Sequence, residues 1–231
     1  VRFYDWPVLS IFLALAVAFV PGERLDYGLR YGPVALGTLV LETLEPETVG
    51  TTECWHFRAD LELMRSFSWL FWANYRLESW CRTSDMVTLR SYKRTREPNY
   101  RAEWSADFDL DHSDVRYSDG ETIPVQPDVR DLLTTWYYFR TLPMLTGDTV
   151  RTALHVDRHN YQLVAVARAA KTVSTPAGVF DCIAVVPNAG GPLGTVYLSD
   201  DRERIPVSIR TRVGGLIVSA FLRSVSNEEE R

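Results

Sequence analysis

The chain has 231 residues, 46% of them hydrophobic and 24% charged, with a formal net charge of −5 at pH 7. This composition belongs to a folded protein of one generous β domain or two small ones, and it excludes the disordered and fibrous classes. A mildly acidic chain without basic runs is not built to hold nucleic acid, and it has no electrostatic footing on an anionic membrane surface.

In chain order, the first element is an apolar run, Val8–Val20, broken only by Ser10 and containing the small-x-small pattern Ala16-Val17-Ala18. Its 13 residues fall short of the roughly 20 that a bilayer span needs. Residues 1–18 are therefore expected to be a secretory signal peptide, with 19–225 as a single β domain and 226–231 as an acidic tail. Cleavage after Ala18 removes only Arg2 and Asp5, so the charge stays at −5. No integral membrane span is expected in what remains. In an oxidising compartment Cys54 and Cys81 could pair, although three cysteines make no disulfide framework. Cys182 shares a strand face with Phe180 and Ala184 and is expected as a buried free thiol.

After Pro21-Gly22 the hydrophobic period is two almost throughout. Leu25, Tyr27, Leu29 and Tyr31 alternate with Arg24, Asp26, Gly28 and Arg30, as a half-buried strand requires. Gly37–Thr43 resumes the pattern, and Trp55, Phe57, Ala59, Leu61 and Leu63 carry it on against His56, Arg58, Asp60 and Glu62. Met64–Ala73 is denser in apolar residues and reads as a doubly buried strand or a bend. Three more strands are expected at 75–82, 86–94 and 100–109, and Ser118-Asp119-Gly120-Glu121 reads as a hairpin turn. Beyond Gly147, strands follow at 149–156, 161–173, 180–186, 195–199, 204–213 and 216–225. The expectation is an all-β fold of about 10–12 strands in one antiparallel barrel or strongly curved sheet.

One helix interrupts this array. Val129, Leu132, Leu133, Trp136 and Phe139 recur at helical spacing, Asp128 is placed to cap the first turn, and Pro143 stops the helix, which gives bounds near 128–142. A lone helix in a β chain closes a barrel mouth or covers a sheet face. It is expected to dock against Tyr27, Trp55 and Trp104, with Arg140 forming an ion pair to Glu23 or Asp200. An aromatic wall at Trp136 and Tyr137 is either core packing or ligand-facing. The candidate ligand-binding residues are thus Tyr27, Trp55, Trp104, Leu133, Trp136, Tyr137 and Arg140.

Five segments, in order, resemble a bacterial exported family called domain of unknown function (DUF) 3108. They are P-G-E-R-L-D-Y at 21–27, Y-G-P-V-A-L-G-T at 31–38, D-L-L-T-T-W-Y-Y-F-R at 131–140, T-P-A-G-V-F-D-C at 175–182 and Y-L-S-D-D-R-E-R-I-P-V at 197–207. The resemblance extends over roughly 20–225 but is poor between Glu45 and Thr122. It implies an envelope protein, periplasmic or extracellular, of mostly antiparallel β structure, and it carries over no catalytic residue.

Chemistry-bearing motifs are sparse. Asp107, Asp109, Asp111 and Asp114 imitate the start of a calcium loop, but His112 and Ser118 occupy the positions that need glycine and a bidentate acid. His155 and His159 straddle an expected turn. Ser199, Asp200 and Asp201 could belong to an envelope hydrolase, yet they read more simply as a turn before Arg204-Ile205-Pro206. No metal and no cofactor is called for. The expected function is non-enzymatic binding of an apolar small molecule or another envelope component, with the hydrolase and a purely structural scaffold as rivals.

Overall fold

The computed structural model describes residues 19–63, 72–189, 191–213 and 216–227. The expected signal peptide, most of the dense apolar stretch after Leu63, the Gly214-Gly215 turn and the end of the acidic tail lie outside these residues.

Fourteen strands and one helix are present among the described residues: β1 (Arg24–Tyr31), β2 (Val34–Val49), β3 (Thr52–Leu63), β4 (Ala73–Arg82), β5 (Thr88–Arg96), β6 (Arg101–Asp109), β7 (Asp114–Tyr117), β8 (Thr122–Pro124), α1 (Leu132–Thr141), β9 (Thr149–Val156), β10 (His159–Thr175), β11 (Gly178–Ala189), β12 (Thr195–Ser199), β13 (Pro206–Val213) and β14 (Leu216–Ser226). The count exceeds the expected range because β7 and β8, four and three residues long, are too short for periodicity to reveal.

All strands belong to one antiparallel sheet in the order β8-β7-β6-β5-β4-β3-β2-β1-β14-β13-β12-β11-β10-β9. This is an up-and-down meander whose first and last strands pair in the middle, from Arg24↔Ser226 to Arg30↔Ser219. The sheet curves strongly but does not close: its edges are β8 and β9, and the segment carrying α1 joins them. Gly37 explains part of one motif. A Cβ there would stand 1.9 Å from the Glu62 carbonyl oxygen, so no other residue fits between β2 and β3.

The inner face carries the core. Leu25, Tyr27, Leu39, Leu41, Phe57, Leu163, Val185, Leu198 and Leu222 are buried there together with Leu133, Tyr137 and Phe139 of α1. The register aligns Phe57, Ser79, Ser91 and Ala106 across β3–β6, and β10 adds Ala165 and Ala167. Small side chains on both flanks leave the volume that a helix diameter of about 10 Å demands. The helix therefore lies inside the curve, against β3, β4 and β9. A smaller cluster, with Phe108, Val115, Tyr117, Val125 and Val129 at its centre, fills the corner under β6–β8.

Three expectations need correction. The N-cap is Asp131, whose carboxylate accepts from the Thr134 amide at 2.7 Å, not Asp128. Residues 129–131 stay extended because the Arg130 amide donates to the Ala153 carbonyl, its carbonyl accepts from the His155 amide, and the Val129 carbonyl accepts from the Thr88 amide. Bonds to two strands outcompete the helix there, and Val129 joins the smaller cluster instead of the helix face. The buried line of α1 is accordingly Leu133, Tyr137 and Arg140 at i, i+4 and i+7, while Leu132 and Trp136 are only half-buried. Trp104 does not meet the helix; it packs edge-on against Tyr117, 5.2 Å between centroids, in the smaller cluster.

Cys54 and Cys81 are free and buried. In the register Trp55, not Cys54, stands opposite Cys81, so the one-residue offset sends the two thiols to opposite faces. Cys182 is a buried free thiol, as its alternation implies, and burial pushes its pKa up to about 11.

Candidate functional site

The five motif segments are spread over the chain, and three of them, at 21–27, 131–140 and 197–207, meet at one guanidinium. Arg140 is 2% exposed and pairs in bidentate fashion with Glu23, Nη1–Oε2 2.6 Å and Nη2–Oε1 2.8 Å. The same Nη2 donates to the Glu203 carbonyl at 3.2 Å. Burial works to lower the Arg140 pKa, but its hydrogen bonds to Glu23 and the attraction of that carboxylate outweigh it and leave the pKa raised. Tyr27, on the first motif, donates its hydroxyl to the Pro206 carbonyl of the last at 2.7 Å. Phe19 sits beneath, in edge contact with Trp55, Phe57 and Tyr137, while Tyr137 stacks flat on Phe57 at 3.7 Å. At the other end of α1, Asp131 is held by the Ser79 hydroxyl and the Thr134 amide, and its own amide donates to Thr88 Oγ1. Burial raises the Asp131 pKa, against these bonds.

Of the seven candidate ligand residues, Tyr27, Leu133, Tyr137 and Arg140 are thus brought together in the buried core, and half-buried Trp55 and Trp136 pack against it. Trp104 lies apart. The Trp136 indole nitrogen is buried with no hydrogen-bond partner among the described residues.

The Ser199 group has the geometry of a turn. Ser199 Oγ donates to Asp201 Oδ1 and accepts from the Ile205 amide, both at 2.8 Å. That carboxylate oxygen also accepts the Glu203 and Arg204 amides, and the Asp200 amide donates to the Asp181 carbonyl. His155 is engaged elsewhere: Asn160 Nδ2 donates to the Pro124 carbonyl, which fixes that amide so that Oδ1 accepts from His155 Nδ1, and Nε2 accepts from the Tyr117 hydroxyl. His159 Nδ1 contacts the Asp157 carbonyl. In the aspartate run, Asp109 accepts from the backbone amide of His112 and meets its imidazole.

The outer face of β4–β6 holds a lattice that sequence reasoning missed. Register sets Trp80, Arg90 and Asp107 in one row, Glu78, Tyr92 and Ser105 in the next, and Arg76, Arg94 and Glu103 in the third. A depression of about 370 Å³ opens over it. Trp80 is stacked on His56 at 4.2 Å, and His56 is clamped between Glu47 and Glu78 at 3.0 Å on each side. Most acids are already engaged: Arg90 donates to Asp107 at 2.6 Å, Arg76 holds Asp60, and Tyr92 donates to Glu103. Among the described residues Arg94 has no carboxylate partner, and its Nε is buried without a hydrogen bond. Alternation alone marks these residues as outward-facing; which of them become neighbours is a matter of register.

Residues 26–219 match the family described as "Protein of unknown function (DUF3108)". The chain belongs to this family. Within this DUF3108 chain the matched span runs from β1 into β14, so it takes in the Arg140 centre and the outer lattice, while Glu23 lies just ahead of it. Among curated proteins none matches. A solved structure of similar fold is the beta-barrel-like protein of domain of unknown function DUF1849 from Brucella abortus, with TM-score 0.61 and 11% identity, covering 89% of this chain and 97% of that one. Weaker likeness, at TM-score 0.39 and 12% identity, links the chain to a Bacteroides fragilis protein provisionally named as exported with a YmcC-like fold, covering 90% and 97% of the two chains. The likeness to the Brucella abortus protein supports a barrel-like fold, and neither structure assigns a chemistry to this one.

Proposed function

We propose that this DUF3108 chain is an exported cell-envelope protein without catalytic activity, which works by binding another envelope component on its outer face. The observation that carries this reading is the division of labour between the two faces of the sheet. The inner face is occupied by the chain's own helix, packed and ion-paired in place. The outer face offers a depression beside Arg94, which pairs with no acid among the described residues. The Ser199 turn supports the non-catalytic part, since its hydroxyl serves as donor and acceptor within the turn itself. The test is co-sedimentation of the fluorescently labelled protein with isolated bacterial envelopes. Arg94→Glu is expected to reduce retention at least tenfold; unchanged retention would remove the outer-face reading.

One observation favours a second reading, an apolar ligand lodged beside α1. The buried, unpartnered Trp136 indole nitrogen is a donor that a ligand carbonyl or carboxylate would satisfy. Uptake of an apolar dye that falls in Trp136→Phe, with the melting temperature unchanged, would support it.

A further inference from the structure

The outer lattice specifies its ligand more closely than "an envelope component". Arg76 and Arg94 stand directly opposite each other on β4 and β5, a like-charge pair that destabilises a sheet unless an anion lies between the two. Arg76 is committed to Asp60 through Nε–Oδ1 at 2.7 Å and Nη2–Oδ2 at 3.0 Å. Glu103, opposite Arg94 on β6, accepts from Tyr92 at 3.0 Å. Among the described residues Arg94 is left without a carboxylate on its fork. It also lines a second depression, of about 700 Å³, with Arg96, Arg101 and Glu103. A planar guanidinium in that position takes a carboxylate or a phosphate in bidentate geometry.

The remaining groups narrow the class. Glu78 and Asp107 line the same depression as acceptors, which repel a polyanion but take hydroxyl donors. Trp80 is fixed in orientation by its stack on His56 and by its indole bond to Glu47 at 3.0 Å. A preordered aromatic ring beside polar groups suits the C–H face of a sugar ring, whose positive edge meets the negative π face. One anion, several hydroxyl donors and a flat carbon face together describe an acidic saccharide.

We propose that the depression over β4–β6 binds an acidic saccharide, its carboxylate or phosphate on Arg94 and its hydroxyls on Glu78 and Asp107. This rests on the outer-face reading above. The test is calorimetric titration of the purified protein with three tetrasaccharides of one backbone: neutral, glucuronate-containing and phosphorylated. At least one acidic form is expected to bind tenfold or more tightly than the neutral form, and the preferred form tells a uronic acid from a phosphosugar. Arg94→Gln should abolish that preference while the melting temperature holds or rises, because a cross-strand repulsion is removed. Ser105→Trp, which fills the depression without changing charge, should abolish binding as well. Equal binding of all three sugars, unchanged affinity in Arg94→Gln, or no binding of either acidic form would each overturn the proposal. In the last case, envelope retention that still depends on Arg94 would leave the outer-face reading standing with a different ligand. Retention indifferent to Arg94, beside normal sugar binding, would sink that reading and keep the site.

Discussion

The sheet meets itself at two places, and it is joined by different means at each. At β1–β14 seven residue pairs form a backbone ladder, from Arg24↔Ser226 to Arg30↔Ser219. On the opposite side β8 and β9 are the edges; extended Val129 and Arg130 make backbone bonds to β5 and β9 there, and side chains span the rest of the gap. Tyr117 bonds His155, Asn160 bonds the Pro124 carbonyl, and Arg158 pairs with Asp119 and Glu121. The β9–β10 turn that presents these groups is under strain, with Asp157 and Arg158 both at positive φ, 47° and 68°. Helix α1 runs between the two regimes: Asp131 and extended Arg130 anchor its start near the seam, and Arg140 anchors its end to Glu23 at the foot of β1. Ladder amides neither titrate nor respond much to salt, whereas the seam does both. Reliance on side chains for most of its closure makes this side of the protein the conditional one.

The largest effect is expected at the buried ion pair. Arg140→Met leaves Glu23 charged and unpaired inside the core, which costs about 3–5 kcal/mol. Adding Glu23→Leu should recover much of it, since an apolar pair of similar volume is often neutral. Urea unfolding measures both, and a loss below about 1 kcal/mol in Arg140→Met would mean that the helix is not pinned there. Leu133→Ala, 1% exposed on the same helix line, should cost about 2–5 kcal/mol by leaving a cavity. A smaller loss, accompanied by uptake of an apolar dye, would instead show the core accommodating a ligand at that point.

The seam should answer to pH. Burial, first of all, lowers the His155 pKa from 6.5, so the native ring stays neutral where the unfolded ring has begun to protonate. Between those two pKa values the unfolded chain binds more protons, and stability rises with pH. The contribution is fully present above pH 6.5 and is lost as pH falls toward the native value, by at most about 1.4 kcal/mol per unit. Protonation also turns Nε2 from an acceptor into a donor and breaks the bond from Tyr117. Urea midpoints between pH 7.5 and 5 should therefore slope less in His155→Gln than in the parent; parallel slopes would show that His155 does not govern the seam.

The smallest effect sharpens the contrast most. Arg158→Ala removes two ion pairs at the edge of the gap and is expected to cost no more than about 1 kcal/mol globally, as exposed pairs do. Hydrogen exchange should nevertheless accelerate at β9 amides while β1 and β14 amides keep their rates. Uniform acceleration would mean that the two junctions open as one unit.

Alternation decided the strand character and the inward set at Leu25, Tyr27, Leu29, Phe57 and Ala59, because a period of two is a local property of extended chain. The helix and its stop at Pro143 were legible for the same reason, and so was the Arg140–Glu23 pair as one of two options. What stayed hidden depends on neighbours that sequence does not order. Asp131 replaced Asp128 as the cap because Thr88, Ala153 and His155 claim the backbone of 129–131, and Cys54 missed Cys81 by one position of register. The outer lattice has that same cause: Arg76, Arg94 and Glu103 lie on three strands, and the pairing of β4 with β5 and β5 with β6 sets the two arginines face to face. Local periodicity determines which way a side chain points, and tertiary register, set by long-range hydrogen bonding, determines what it meets.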